Sequence, residues 1–164
     1  MRYADGPTVE VETFVEAPPA KVWELVCDIE LPARFSKEFQ GAEWIEGTGP
    51  ALGAKFRGRN QHAAAGEWQT TSTVVEFEPE RVFGWAVTDP GNPSASWRFV
   101  LAPEGEGTRL KQWMHMGPGP SGLSAAIERM PDKEERIIER RCSEHRENMT
   151  RTLEGIKALA EGRA

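Results

Sequence analysis

PDKEERIIERRCSEHRENMTRTLEGIKALAEG, residues 131–162, is the stretch on which the fold turns. Ile138, Cys142, Met149, Leu153, Ile156 and Ala160 recur at helical spacing, with Arg136, Arg140, Glu147, Arg151 and Glu154 on the opposite side. Such a stripe predicts one helix of about 28 residues with a single apolar face, which must lie on another element to be stable. Pro131 opens it. Asp132 as N-cap with Glu135 three residues on forms a capping box, and Gly162 closes the helix. His145 occupies the centre of the stripe, where the pattern calls for an aliphatic side chain.

The partner surface lies upstream. Turn signals at 47–50, 63–66, 79–80, 90–93 and 104–107 separate strand-like runs placed at 42–46, 53–62, 67–78, 81–88, 95–102 and 108–116. Consecutive strands joined by short loops predict an antiparallel meander. Before it, Thr8–Glu16 alternates as a first strand, with Val9, Val11 and Thr13 on one face and Phe14 on the other. Ala17-Pro18-Pro19 then breaks the chain. Val22, Trp23, Val26 and Ile29 give a short helix over 20–29, and Phe35 and Phe39 mark a second over 33–39. The class is therefore α+β: a curved antiparallel sheet of about seven strands, two short helices after the first strand, and a long C-terminal helix across the concave face. The long helix needs that sheet, so residues 1–164 are expected to form one domain with a flexible start at 1–7.

Bulk properties narrow the function. A net charge of −6 gives no electrostatic footprint for nucleic acid. Cys27 and Cys142 stand far apart in no metal-ligand pattern, so free thiols and no metal site are expected. No apolar run approaches the length of a signal peptide core or a membrane span, which points to the cytoplasm. Six Trp and seven Phe against one Tyr suggest broad apolar walls with few phenolic hydroxyls for proton transfer.

Alternation sorts side chains between the two faces of each strand. Lys55, Arg57 and Arg59 mark the solvent face of one strand, which turns Phe56, Gly58, Asn60 and His62 inward. The same parity turns Phe83, Trp85 and Val87 inward, then Trp97, Phe99 and Leu101, then Leu110, Gln112, Met114 and Met116. An apolar and aromatic set with few polar members has the composition of a small-molecule site. Asn60 and Gln112 either bond across strands or orient a ligand. His62, near a strand end, is a rim residue. Met114 and Met149 are adaptable fillers that pack as core or touch a ligand. His145 is either a core histidine bonded to a carbonyl or to Asn60, or the polar handle and candidate catalyst of the cavity. Cys142 could pair with it as a nucleophile, although a thiol on an apolar stripe usually behaves as a small hydrophobe.

Four segments together resemble the SRPBCC superfamily of START and pollen-allergen type helix-grip proteins, in its polyketide cyclase/dehydrase-like branch: VEAPPAKVWELVCD from Val15, GAKFRGRN from Gly53, TVVEFEPERVFGW from Thr73 and WRFVLAPEGEGTRL from Trp97. The resemblance spans the chain. It implies a cavity between sheet and helix, entered near the leading end of the helix, where 117–131 offers Leu123, Ile127 and Met130 as a lid. Oxygenase relatives carry an iron-sulfur domain whose motifs this chain lacks, so no cofactor is expected. Three functions follow in order. The first is binding or carriage of a small hydrophobic or aromatic metabolite or lipid, walled by Phe56, Trp68, Trp85, Trp97 and Phe99 and oriented by Asn60, Gln112 and His145. The second is an aromatase/cyclase-type enzyme using cavity histidine and amide groups. The third is a partner-binding stress-response module presenting Lys55, Arg57 and Arg59, the protein being a monomer or homodimer.

Overall fold

In the computed structural model, which describes residues 1–163, the alternating segments form one seven-stranded antiparallel sheet. Its strands are β1 (Thr8–Val15), β2 (Phe39–Glu46), β3 (Lys55–His62), β4 (Gly66–Glu78), β5 (Val82–Val87), β6 (Ala95–Glu104) and β7 (Gly107–Met116). The spatial order is β1-β7-β6-β5-β4-β3-β2. Strands β2 to β7 are thus a meander, and β1 closes onto its last member with Thr13 opposite Leu110 and Val9 opposite Met114. Irregularities in β2 and between Val74 and Glu76 of β4 interrupt the ladder. Such bulges bend the strands that carry them, which suits a sheet that wraps a helix.

Between β1 and β2 lies α1 (Pro19–Val26), its entry fastened to β7 by Thr108 Oγ1, which donates to the Ala17 carbonyl at 2.8 Å. The second short helix expected over 33–39 is instead a single 3-10 turn, Leu31–Arg34, and Phe39 already belongs to β2. The cause is local. Ser36 Oγ accepts the backbone N–H groups of Glu38 and Phe39 at 3.1 and 3.0 Å, a side-chain turn that competes with helix and releases the chain into the strand.

The long helix, α3 (Glu134–Ala160), buries Ile138, Met149, Leu153, Ile156 and Ala160 as its stripe predicts, with His145 and Thr152 among them. Two apolar clusters result. Leu153 and Ile156 join Val22, Phe83, Phe99 and Leu110 in the larger one, whereas Met149 joins Val9, Met114 and Met116 in the smaller. At the far end Lys157 Nζ donates to the Phe14 carbonyl at 2.6 Å and Glu161 accepts the Glu16 N–H at 2.7 Å, tying α3 to the end of β1.

The leading end differs from expectation. A 3-10 turn, Pro131–Lys133, precedes α3, Lys133 is the N-cap, and no side chain caps it. Glu134 is engaged with the chain start, accepting the Tyr3 N–H at 2.8 Å and pairing with Arg2 at 3.2 Å. Residues 1–7, expected to be flexible, are therefore held down at Tyr3, whose hydroxyl also donates to the Gly119 carbonyl at 2.6 Å. A capping box does occur one helix earlier. Ser121 and Ser124 exchange side-chain and backbone bonds at the start of α2 (Gly122–Arg129), a helix within the segment expected to form the lid.

Gly155 shows how closely α3 is packed. A Cβ there would run into the Phe35 ring. In a free helix Gly→Ala stabilises by about 1 kcal/mol. Here overpacking costs about 1–3 kcal/mol, so Gly155→Ala is expected to lower the urea midpoint; a raised midpoint would show that Phe35 yields freely.

Candidate functional site

The elements leave a cavity of about 150 Å³ between the concave face and the middle of α3. Its sheet wall follows from strand alternation: Phe56 and Asn60 from β3, Trp85 from β5, Trp97 and Phe99 from β6, Gln112 from β7. Trp85 is the hub. Its ring stacks with Trp97 at 6.5 Å between centroids and 10° between planes, meets Phe56 edge-on at 5.8 Å, and tilts against Phe99 at 6.0 Å. Neighbouring strands present these rings side by side because Trp85 is paired directly with Trp97 and Phe83 with Phe99. From α3, His145 and Met149 complete the roof, with His145 edge-on to Trp97 at 5.2 Å.

Eight of the eleven residues singled out from sequence thus line one cavity, and three do not. Trp68 sits opposite Asn60 across the β3–β4 ladder, but the lining on β4 is Thr70 and Ser72. Met114 is core, enclosed with Val9 and Met116. His62 faces a second hollow of about 230 Å³, where its Nε2 meets Glu144 Oε2 at 3.0 Å. The lid expectation is also corrected: no residue of 117–131 touches the cavity, and Ile127 is buried in packing instead. Besides sheet and α3, the cavity is walled by the connection from α1 to β2, including Asp28, Ser36 and Glu38, and by Phe39 at the start of β2. Parity on β4 could have revealed Thr70 and Ser72. The α1–β2 connection has no period to read.

Glu38 and Asn148 border both hollows. Arg141 grips Glu38 through two bonds, each 2.6 Å, and reaches Glu144 at 3.1 Å. Burial opposes the charge of Arg141, yet the bonds to Glu38 and Glu144 outweigh it and raise the guanidinium pKa. Burial likewise disfavours the Glu144 carboxylate, but His62 and Arg141 hold its pKa below 4.5. Ligand atoms of Glu38, His62 and Glu144 lie within 4.8 Å of one another, a spacing a metal ion could bridge. Arg141 already supplies the positive charge those carboxylates face.

His145 is 8 % exposed and, among the described residues, hydrogen-bonds to no protein group. Burial, then the nearby Arg141 guanidinium, depresses its pKa well below 6.5, so the imidazole is neutral. Burial raises the thiol pKa of Cys142 against the lowering influence of Arg146, which disfavours the thiolate that a nucleophile needs. Cys27 is pushed up to about 12 by burial alone. A histidine neutral in the fold and titrating near 6.5 once unfolded gives the unfolded state more bound protons in acid. Its stabilising effect is complete above pH 6.5 and is lost as the pH falls below it, at up to about 1.4 kcal/mol per pH unit. Unfolding midpoints between pH 7.5 and 5 are expected to fall more steeply in the native protein than in His145→Leu; equal slopes would refute the assignment.

Comparison with known proteins agrees with this geometry. Residues 7–161 match the family model described as polyketide cyclase / dehydrase and lipid transport. The polyketide-cyclase-like protein Cgl2372 of Corynebacterium glutamicum is 32% identical, with 95% of this chain and 92% of that one covered and a TM-score of 0.68. Major latex-like protein 151 of Panax ginseng shares the fold at 8% identity, with 94% and 97% covered and a TM-score of 0.64. The di-domain ARO/CYC protein BexL, from the BE-7585A biosynthetic pathway, does so at 18% identity and a TM-score of 0.71; 97% of this chain covers 51% of that one. No curated protein matches the sequence. A family match along nearly the whole chain, joined to a seven-stranded sheet gripping one long helix over an aromatic cavity, places this protein in the polyketide cyclase/dehydrase and lipid transport family.

Proposed function

We propose that this protein binds and carries a small, largely apolar aromatic molecule in the cavity under α3. The observation that supports this most is the cavity walled by Trp85, Trp97, Phe56 and Phe99. A flat apolar guest would replace missing dispersion contacts and gain ring-on-ring geometry. Catalysis of the aromatase/cyclase kind is the second reading, favoured by one feature, the neutral imidazole of His145 in the cavity roof. It has no carboxylate hydrogen-bonded to it as an orienting partner among the described residues, which weakens it as a general base. The two free thiols suit a reducing, cytoplasmic setting. No helix among the described residues is long and apolar enough to cross a membrane.

Tryptophan fluorescence tests the carrier reading, since two indoles line the cavity. Titration with naphthalene is expected to quench emission saturably at one equivalent, and native mass spectrometry of freshly purified protein to reveal a co-purifying small molecule. The absence of both saturable quenching and a bound molecule would sink it.

A further inference from the structure

Two of the polar side chains in the cavity wall, Gln112 and His145, are buried and leave hydrogen-bonding capacity unmet. Gln112 on β7 is 6 % exposed, and its Oε1 is buried without a partner. His145 on α3 is 8 % exposed and makes no hydrogen bond to protein among the described residues. An unsatisfied buried polar group costs about 1–3 kcal/mol, and an apolar residue of similar size would fit either position. Gln112 is paired with Phe99, and His145 meets the edge of Trp97, two residues from Phe99 on β6. Both groups therefore lie on the β6–β7 side of the cavity, while Asn60, Thr70 and Ser72 supply polar lining beside Phe56.

Charge narrows what can sit there. No lysine or arginine lines the cavity; its charged members are Asp28 and Glu38, and Glu38 is held by Arg141. A carboxylate or phosphate here would be desolvated with no free cation in the lining, because Arg141 behind Glu38 is already bonded to Glu38 and Glu144. Hydrogen-bonding capacity narrows it further. A neutral imidazole presents one donor and one acceptor, and a carboxamide presents both kinds. A hydroxyl is the small group that can accept from one and donate to the other. Size sets the remainder: a cavity of about 150 Å³ holds benzene in another protein, so one or two fused rings suit this one, and a larger guest requires the α1–β2 connection to move.

We infer that the ligand is an uncharged phenol or aromatic alcohol of one or two rings, its hydroxyl read jointly by His145 and Gln112. The inference rests on the carrier reading and adds the ligand's charge state and polar group to it. Three probes of one ring system separate the two claims: naphthalene, 2-naphthol and 2-naphthoate, titrated at pH 7.5 by tryptophan quenching and calorimetry. The expected order is 2-naphthol at least about tenfold tighter than naphthalene, and 2-naphthoate weaker than both, since one well-made hydrogen bond contributes about 1–1.5 kcal/mol and tenfold is about 1.4. Gln112→Met and His145→Leu should each reduce the ratio of 2-naphthol to naphthalene affinity to below about threefold. The wild-type ranking stands even if a variant fails to fold. Saturable naphthalene binding with no preference for 2-naphthol, or 2-naphthoate binding as tightly as 2-naphthol, overturns the inference and leaves the carrier reading intact. Failure of all three probes overturns both.

Discussion

Ile156→Ala is expected to destabilise the protein by about 2–5 kcal/mol, enough to threaten a domain whose total stability is of the order of 5–15. Ile156 is 1 % exposed and belongs to the larger cluster, with Leu153 beside it on α3 and Phe99 and Leu110 on the sheet. Two costs add: the transfer of three carbons out of the core, and the cavity left where sheet and helix, fixed by their own ladders, relax only partly. Ile156 itself does not line the aromatic cavity, although Phe83 and Phe99 of its cluster do. Urea unfolding with an unchanged slope and a lowered midpoint is the expected signature. Val75→Ala is the control, since Val75 is 42 % exposed at the β4 bulge and should move stability by no more than about 0.5 kcal/mol. A loss below 1 kcal/mol for Ile156→Ala would mean that α3 is not clamped to the sheet in solution.

What could be foreseen in this chain depended on periodicity. The stripe Ile138, Met149, Leu153, Ile156 and Ala160 has a 3.6-residue period, and charges at Lys55, Arg57 and Arg59 fix the parity of β3, so helix, sheet and the inward rings Phe56, Trp85, Trp97 and Phe99 could be read from spacing alone. The errors fall where no period exists. Phe35 and Phe39 have helical spacing, yet Ser36 ends the turn and sends them to different partners, Phe35 to Gly155 and Phe39 into β2. Trp68 is paired with Asn60 and shares its face, yet Asn60 lines the cavity and Trp68 does not. Parity gives a side chain's face and says nothing of where on that face a cavity lies. Glu38 and Arg141 are 103 positions apart, and nothing local in either segment announces that they meet.

Arg141→Met tests that meeting directly and is expected to cost roughly 2–3 kcal/mol, between the 0–1 of an exposed pair and the 3–5 of a fully buried one. The intermediate value follows from side-chain exposures of 18 % for Arg141 and 13 % for Glu38. Methionine keeps most of the stem's packing and removes the fork, so Glu38 would border the cavity and Glu144 would face His62 without their shared cation. Removing the orphaned charge as well should help: Glu38→Gln in the Arg141→Met background is expected to recover about half the loss, whereas Glu38→Gln alone should destabilise, because it leaves Arg141 partly unpaired. A double-mutant cycle then gives a coupling of about 1.5 kcal/mol or more. Acid supplies a second signature. Glu144 titrates below 4.5 in the fold because the hydrogen bonds of His62 and Arg141 outweigh its burial, so that stabilisation is complete above pH 4.5 and disappears as the pH falls through the lowered value. The gap between native and Arg141→Met midpoints should therefore be widest near neutrality and narrow below pH 4.5. Additive single effects, or a gap that widens in acid, would show that Arg141 packs against this corner without serving as its counter-charge.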